Sequence, residues 1–183
     1  RKLAAIGPIN FDVITDVADR RQHVDTLLAL KSQRYDLYKR VANDQHSVDF
    51  LKRLVSDPEI SPMTHFSVIR SGQKVIAAHL GFICNRTLYY MVPAFESANF
   101  AKYSPGNILL THLMKWSIEN QFNVFDFTLG AEYYKVAWSD SYLTLYEYSK
   151  PATLRGSAYL RVRNLRRRVT GWGHKPLPDK YGG

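Results

Sequence analysis

The stretch Lys74-Val-Ile-Ala-Ala-His-Leu-Gly-Phe-Ile83 constrains this chain more than any other. Both alternating sets of side chains between Val75 and Ile83 are apolar, a pattern that suits a strand covered on both faces. Such a strand needs a neighbour on each edge. His65–Arg70 precedes it across Ser71-Gly72-Gln73, and Thr87–Val92 follows it across Asn85-Arg86. Three consecutive strands joined by short turns predict an antiparallel run with the middle strand central.

The flanks add helices and further strands. Leu3–Ile6 and Phe11–Ile14 read as two short strands separated by Gly7-Pro8. Thr15 or Asp16 caps a helix expected from about Val17 to Arg40, with Val24, Leu27, Leu28, Leu30, Tyr35, Leu37 and Tyr38 as its apolar positions. A second helix is expected over Ser47–Val55. Downstream, Leu109, Leu110, Leu113, Met114 and Trp116 recur at helical spacing behind Pro105, a residue suited to a first helical turn. A short strand at Asn123–Phe127, a helix over Gly130–Trp138 and a strand at Tyr142–Tyr148 follow. From Ala152 to Val169, Leu154, Ala158, Val162, Leu165 and Val169 share one helix face and arginines fill the rest. The tail from Thr170 reads as irregular. The fold class is therefore α/β: a mixed, mostly antiparallel sheet with helices on both faces. Residues 1–150 form the main domain, and residues 151–183 a basic amphipathic helix with its tail.

A net charge of +9 suggests nucleic acid until it is located. Eight basic residues and no acid lie between Lys150 and Lys175, so the rest of the chain is close to neutral. Six arginines within Arg155–Arg168 would repel one another without an anion nearby. A phosphate-bearing ligand, an anionic polymer and the cytoplasmic membrane surface all meet that need. Nucleic acid is disfavoured, because the body carries no recognised binding module. The single Cys84 excludes an internal disulfide and a cysteine-cluster zinc site, and it suits a reducing, cytoplasmic setting. No apolar run reaches the ~18 residues of a membrane span. No metal is expected: His23, His46, His65, His112 and His174 lack partners at ligand spacing. A covalent nucleophile is not expected either, since no Gly-x-Ser-x-Gly elbow occurs and no His neighbours Cys84 in sequence.

The turn Tyr103-Ser-Pro-Gly-Asn-Ile108 presents backbone amides at the positive end of a helix, an arrangement suited to a phosphate. The alternative is an ordinary helix cap. His79, mid-strand, is either a core histidine or a general base titrating near working pH. Glu132 and Lys135 stand three apart on one helix, with Asp126 at a strand end just before. They form a structural ion pair or a proton-accepting carboxylate beside a substrate-holding lysine.

This order of elements resembles the GNAT acyltransferase fold. Ala77-Ala-His-Leu-Gly81, Tyr103-Ser-Pro-Gly-Asn-Ile-Leu-Leu110 and Phe125-Asp-Phe-Thr-Leu-Gly-Ala-Glu-Tyr-Tyr-Lys-Val-Ala-Trp138 are similar to the GNAT-related domain of the CelD/BcsL group. That group belongs to bacterial cellulose and exopolysaccharide production and is related to the FemAB ligases. The resemblance covers about Val17 to Tyr148. It implies an acetyl-CoA donor, with Tyr103, Ser104, Gly106, Asn107 and Ile108 around the pyrophosphate. It also implies Tyr134 as proton donor to the departing thiolate, alongside Asp126, Glu132, Lys135 and His79 as candidates for catalysis. The implied acceptor is an amino or hydroxyl group of a sugar or cell-envelope precursor. FemAB-like use of aminoacyl-tRNA is the same-class alternative, and a non-catalytic module tethered at the membrane surface is the other. Such domains often occur in tandem, so Arg1 is expected to begin a C-terminal half.

Overall fold

A computed structural model of the protein describes residues 8–33, 40, 41, 44–130, 132–146 and 148–170. The expected strand Leu3–Ile6, the helix positions Tyr35, Leu37 and Tyr38, and the tail beyond Thr170 lie outside them. The chain divides into two compact units, residues 1–128 and 129–183.

The first unit is built on a five-stranded sheet in the order β1-β2-β3-β4-β5. Its strands are β1 (Ile9–Val13), β2 (Thr64–Ser71), β3 (Lys74–Cys84), β4 (Thr87–Phe95) and β5 (Val124–Asp126). The first four pair antiparallel and β4 pairs β5 in parallel. As the sequence predicts, β3 is central and fully covered from Ile76 to Gly81. Gly72 takes a left-handed φ of 58° in the β2–β3 turn, and Asn85 and Arg86 do so in the next turn.

One side of the sheet carries α1 (Val17–Ser32) and α2 (Gln45–Leu54). Asp16 caps α1 by accepting from the Asp19 amide at 2.9 Å, and Asp44 caps α2 by accepting from the Ser47 amide at 3.0 Å. Val24, Leu27, Leu28 and Leu30 of α1 meet Phe66, Val68, Ala78, Leu80 and Ala94, one alternating set of sheet positions. Arg20 fixes the start of α1 by donating to the Ile14 carbonyl at 2.8 Å, the Ser61 carbonyl at 2.8 Å and the Thr64 hydroxyl at 2.9 Å. The other side of the sheet carries α3 (Pro105–Glu119), whose Leu109, Leu110 and Leu113 are buried.

Two strand pairings contain an extra residue. The important one lies between β3 and β4. From Leu80↔Val92 to Phe82↔Tyr89, β3 advances two residues while β4 advances three. That is a β-bulge at Tyr90–Met91, opposite Gly81. A Cβ on Gly81 would lie 2.3 Å from the Tyr89 carbonyl oxygen and 2.5 Å from Cε1 of His79. Only glycine lets the bulged strand approach this closely.

The second unit contains α4 (Tyr133–Trp138) and α5 (Leu154–Thr170). The strand expected over Tyr142–Tyr148 is not formed: residues 142–146 and 148 lie outside regular structure. Apolar alternation supplies a face but not a ladder, and no strand among the described residues pairs with this segment. Leu143, Leu145, Tyr146 and Tyr148 are all exposed.

Gly81→Ala is expected to destabilise the protein by about 2 kcal/mol, through backbone clash rather than lost packing. That lowers the melting temperature by roughly 4–8 °C. An unchanged melting temperature would show that the bulge does not need the glycine.

Candidate active site

The bulge has a consequence at the edge of β4. Parallel pairing with β5 runs through Thr87↔Val124, Leu88↔Phe125 and Tyr89↔Asp126. There it stops, while β4 continues to Phe95 along β3. Among the described residues, the segment after Met91 has no strand partner on its β5 side. β5 ends at Asp126, so β4 continues past it with an open edge, a candidate cleft bordered by main-chain groups of β4.

Asp126 stands where they part. Its carboxylate accepts from the Thr128 amide at 2.6 Å, and the Thr128 hydroxyl donates to the Tyr90 carbonyl at 3.3 Å. Thr128 has a φ of 60°, and the Asp126 contact holds it there. Asp126 is therefore engaged in shaping the apex of the cleft.

The turn before α3 lies beside the far end of β4. The Phe95 ring fills the space a Cβ on Gly106 would need, at 2.9 Å. This glycine admits a side chain of its own protein. The expected cradle of amides is partly consumed. Ser104 N–H donates to the Ala101 carbonyl at 3.0 Å, and Asn107 and Ile108 both donate to the Ser104 carbonyl, at 3.0 and 3.2 Å. Tyr103 N–H donates to the Phe100 carbonyl at 2.9 Å. Pro105 has no N–H. Among the described residues, the Gly106 N–H is left without a backbone acceptor. Ser104, at φ 52°, is exposed and its side chain makes no capping bond. The exposed Lys102 ammonium sits 5.0 Å from the Tyr103 ring centroid. One amide, one hydroxyl and one ammonium can hold an anion.

Lys102 is a site candidate that sequence reasoning passed over, and so is Glu96. The Glu96 carboxylate is buried, pairs with Lys74 at 2.9 Å and accepts from the Asn99 amide at 2.8 Å. Burial pulls its pKa up, but the Asn99 amide and the Lys74 ammonium outweigh that and hold it below the ordinary value. It anchors the loop leading from β4 to the turn. An isolated acid ahead of a helix was the only signal of it.

On the opposite face, a cavity of about 390 Å³ is lined by Leu27, Leu28 and Lys31 of α1, Val41, and His46, Ser47, Phe50 and Leu51 of α2, with Val92 of β4. Val92 belongs to the segment without a β5 partner. Lys31 donates to the Pro93 carbonyl at 2.5 Å, so its ammonium stands at the β4 side of the cavity. Helical periodicity marked Leu27, Leu28 and Leu51 among these residues as core. Three-dimensional spacing between α1 and α2 opens the cavity, and no local pattern encodes that.

His79 is fully buried on the α3 face, stacked on Tyr90 with ring centroids 4.8 Å apart. Neither ring nitrogen has a hydrogen-bond partner, nor does Nε2 of His65, 5.8 Å away between centroids. Burial, reinforced by His65 and Lys31, pushes the His79 pKa well below 6.5. Burial and the Arg20 charge bring His65 down to about 4. Both rings are neutral at pH 7, and His79 is sealed beneath the bulge it packs against.

In the second unit, the Lys135 ammonium donates to the Leu129 carbonyl at 2.5 Å and pairs with Glu132 at 3.1 Å. The Glu132 carboxylate lies over Gly130, whose φ is 110°. The structure thus brings Glu132 and Lys135 together as the sequence spacing predicts, closing the Leu129–Lys135 loop. Tyr134 is half-buried on α4, and Tyr133 is exposed. Among the described residues, no group of acids, histidines and cysteines is arranged to hold a metal.

Residues 1–136 match a family described as "Acetyltransferase (GNAT) domain". A search of curated proteins gives no match. Several solved structures share the fold. One is an aminoglycoside acetyltransferase from an uncultured soil metagenomic sample in complex with sisomicin, 11% identical, with a TM-score of 0.52 over 78% of this chain and 96% of that one. The same protein is known in complex with trehalose. Another is a GNAT family acetyltransferase of Staphylococcus aureus, 13% identical, with a TM-score of 0.52 over 78% of this chain and 98% of that one. At such identities the likeness carries the fold alone.

The two buried imidazoles make stability pH-dependent. Their folded pKa values lie below the unfolded value near 6.5, so the unfolded chain binds more protons as pH falls. Stability is complete above pH 6.5 and is lost as pH falls; for His65 the loss runs toward pH 4 at about 1.4 kcal/mol per pH unit, and His79 acts in the same direction. Replacing His65 with Gln should flatten the dependence of melting temperature on pH between 6.5 and 5. An unaltered slope would contradict the burial of a neutral ring.

Proposed function

The chain belongs to the GNAT acetyltransferase domain family, and we propose that it transfers an acetyl group to an amino or hydroxyl group of a cell-envelope precursor. The observation that carries the reading is the parting of β4 from β5 after Tyr89↔Asp126, with the start of α3 at the far end of β4. Acetyl-CoA, the donor of this family, supplies an activated acyl group.

The residues present fit that donor. Lys102, the Ser104 hydroxyl and the Gly106 N–H would hold its phosphates. Main-chain N–H groups of β4 that face away from β3 would donate to the thioester carbonyl and stabilise the negative charge that grows there; Pro93 has no N–H to offer. The donor would thus be fixed by main-chain groups of the sheet at one end and, at the other, by the helix start with the Lys102 and Ser104 side chains, and rate arises chiefly from orientation. The acceptor's proton must pass to a base, and the departing sulfur must gain one. The resemblance to GNAT enzymes makes Tyr134 the candidate for the second role, with Asp126 and Glu132 as candidates for the first. Lys135, paired to Glu132, orients that carboxylate. His79, neutral and enclosed, supports the bulge rather than the proton transfer.

The α1–α2 cavity gives the acceptor its character. Its walls are mostly aliphatic and aromatic, with Lys31, His46 and Ser47 as the polar groups. That lining favours a precursor carrying an apolar part beside its nucleophile over a bare sugar. Exopolysaccharide production is one setting that supplies such acceptors.

Acetyl-CoA at 100 times its Kd should stabilise the protein by about 2.7 kcal/mol, raising the melting temperature by roughly 5–10 °C in a concentration-dependent way. No shift at millimolar acetyl-CoA would sink the proposal. Tyr134→Phe should lower kcat on the order of 100-fold with KM for acetyl-CoA little altered. A rise in KM alone would remove Tyr134 from proton transfer.

A further inference from the structure

The helix α5 carries an apolar stripe that points outward. At ~100° per residue, Leu154, Leu165, Ala158 and Val162 fall within an arc of about 80°. Leu154 is 91% exposed, Leu165 62% and Val162 53%. Arg161 borders this stripe on one side, and Arg155 and Arg166 border it on the other; all three are exposed. The half-buried positions, Gly156, Ser157, Leu160 and Arg163, lie on the remaining arc. Arg163 donates to the Ser149 hydroxyl there at 3.4 Å. An amphipathic helix normally turns its apolar stripe inward. This one turns it to solvent and lines both edges with arginine.

We propose that α5 is an interfacial helix that lays its Leu154–Leu165 stripe on an anionic lipid surface. Two independent features select that occupant. The first is charge: no acid occurs between Lys150 and Lys175, so the helix is repelled by itself unless anions surround it. The second is the stripe, whose aliphatic side chains need an apolar medium between the headgroups that the arginines contact. Arginine stems also lie along apolar surface while their guanidinium groups reach outward to phosphate, which suits the flanking positions. RNA satisfies the charge and leaves the stripe in water, because bases stack on aromatic rings and α5 offers only Tyr159 among its exposed residues. A second copy of the chain would cover the stripe and bring the arginines against one another. No helix among the described residues is long and apolar enough to cross a membrane, so α5 lies on the surface. This assignment stands apart from acyl transfer and survives or fails without it.

The test is co-sedimentation of the full chain with vesicles of phosphatidylcholine alone and of phosphatidylcholine with 30% phosphatidylglycerol, an anionic fraction of about one in three. Binding is expected to the anionic vesicles only. The double substitution Val162→Ser/Leu165→Ser should weaken it by roughly ten-fold or more. Arg155→Gln/Arg161→Gln/Arg166→Gln should weaken it on the order of 100-fold. These positions are exposed, so both variants should keep the wild-type melting temperature, which is measured alongside. Equal binding to neutral vesicles overturns the proposal, as does no binding to either. Anionic binding indifferent to the apolar substitutions overturns it in favour of simple polyanion adsorption, with polyuridylate as competitor. Self-association abolished by the apolar substitutions, without vesicle binding, overturns it in favour of a second copy.

Discussion

The close contact between Gly81 and the bulged strand β4 governs most of what is distinctive in the first unit. An extra residue in β4 has to be accommodated against the central strand, and the Tyr89 carbonyl moves into space that any Cβ would occupy. The His79 ring closes over the same glycine and stacks on Tyr90. Below the bulge β4 pairs with β5; above it β4 follows β3 alone. A sheet with unbroken pairing would have no open edge here.

The surrounding interactions hold that geometry in place. Thr128 reaches from the end of β5 to the Tyr90 carbonyl, with Asp126 fixing its unusual backbone. Lys31 grips the Pro93 carbonyl from the α1 side, and Glu96 with Lys74 and Asn99 secures the exit from β4. Phe95 then seats the α3 turn against the strand through the bare Cα of Gly106. These contacts are polar or glycine-dependent and partly buried, which is costly unless each group is satisfied. Among the described residues of this unit, the His65 and His79 nitrogens and the Ser67 and Ser71 hydroxyls are buried without such partners, and the neutrality of the two rings limits their cost.

Strand order, helix placement and the central position of β3 were legible because each rests on periodicity or local turn chemistry. Asp16, Pro105 and Gly72 each announce a boundary through their own backbone preferences. The bulge was not legible, since Gly81 and Met91 differ little in sequence from ordinary strand residues. The amides of Ser104, Asn107 and Ile108 were expected to face a phosphate together. The left-handed conformation of Ser104 instead turns its carbonyl to accept from two of them, a detail no residue pattern specifies. Spacing did predict the Glu132–Lys135 pair, because i to i+3 contact is local. The Tyr142–Tyr148 segment has the alternation of a strand without a ladder partner, and the stripe of α5 has the pattern of a core helix without the burial. Pattern reports which face is apolar; it does not report what covers it.

Acyl transfer at this edge requires that the donor enter the cleft beside the bulge. Hydrogen–deuterium exchange with and without coenzyme A addresses this directly, because β4 beyond Met91 has no strand partner on its β5 side among the described residues. Slowed exchange in peptides covering residues 90–95 and 103–108, with β1 and β2 unchanged, is the predicted result. Exchange unaltered in both segments at saturating coenzyme A, or protection confined to other strands, would contradict it.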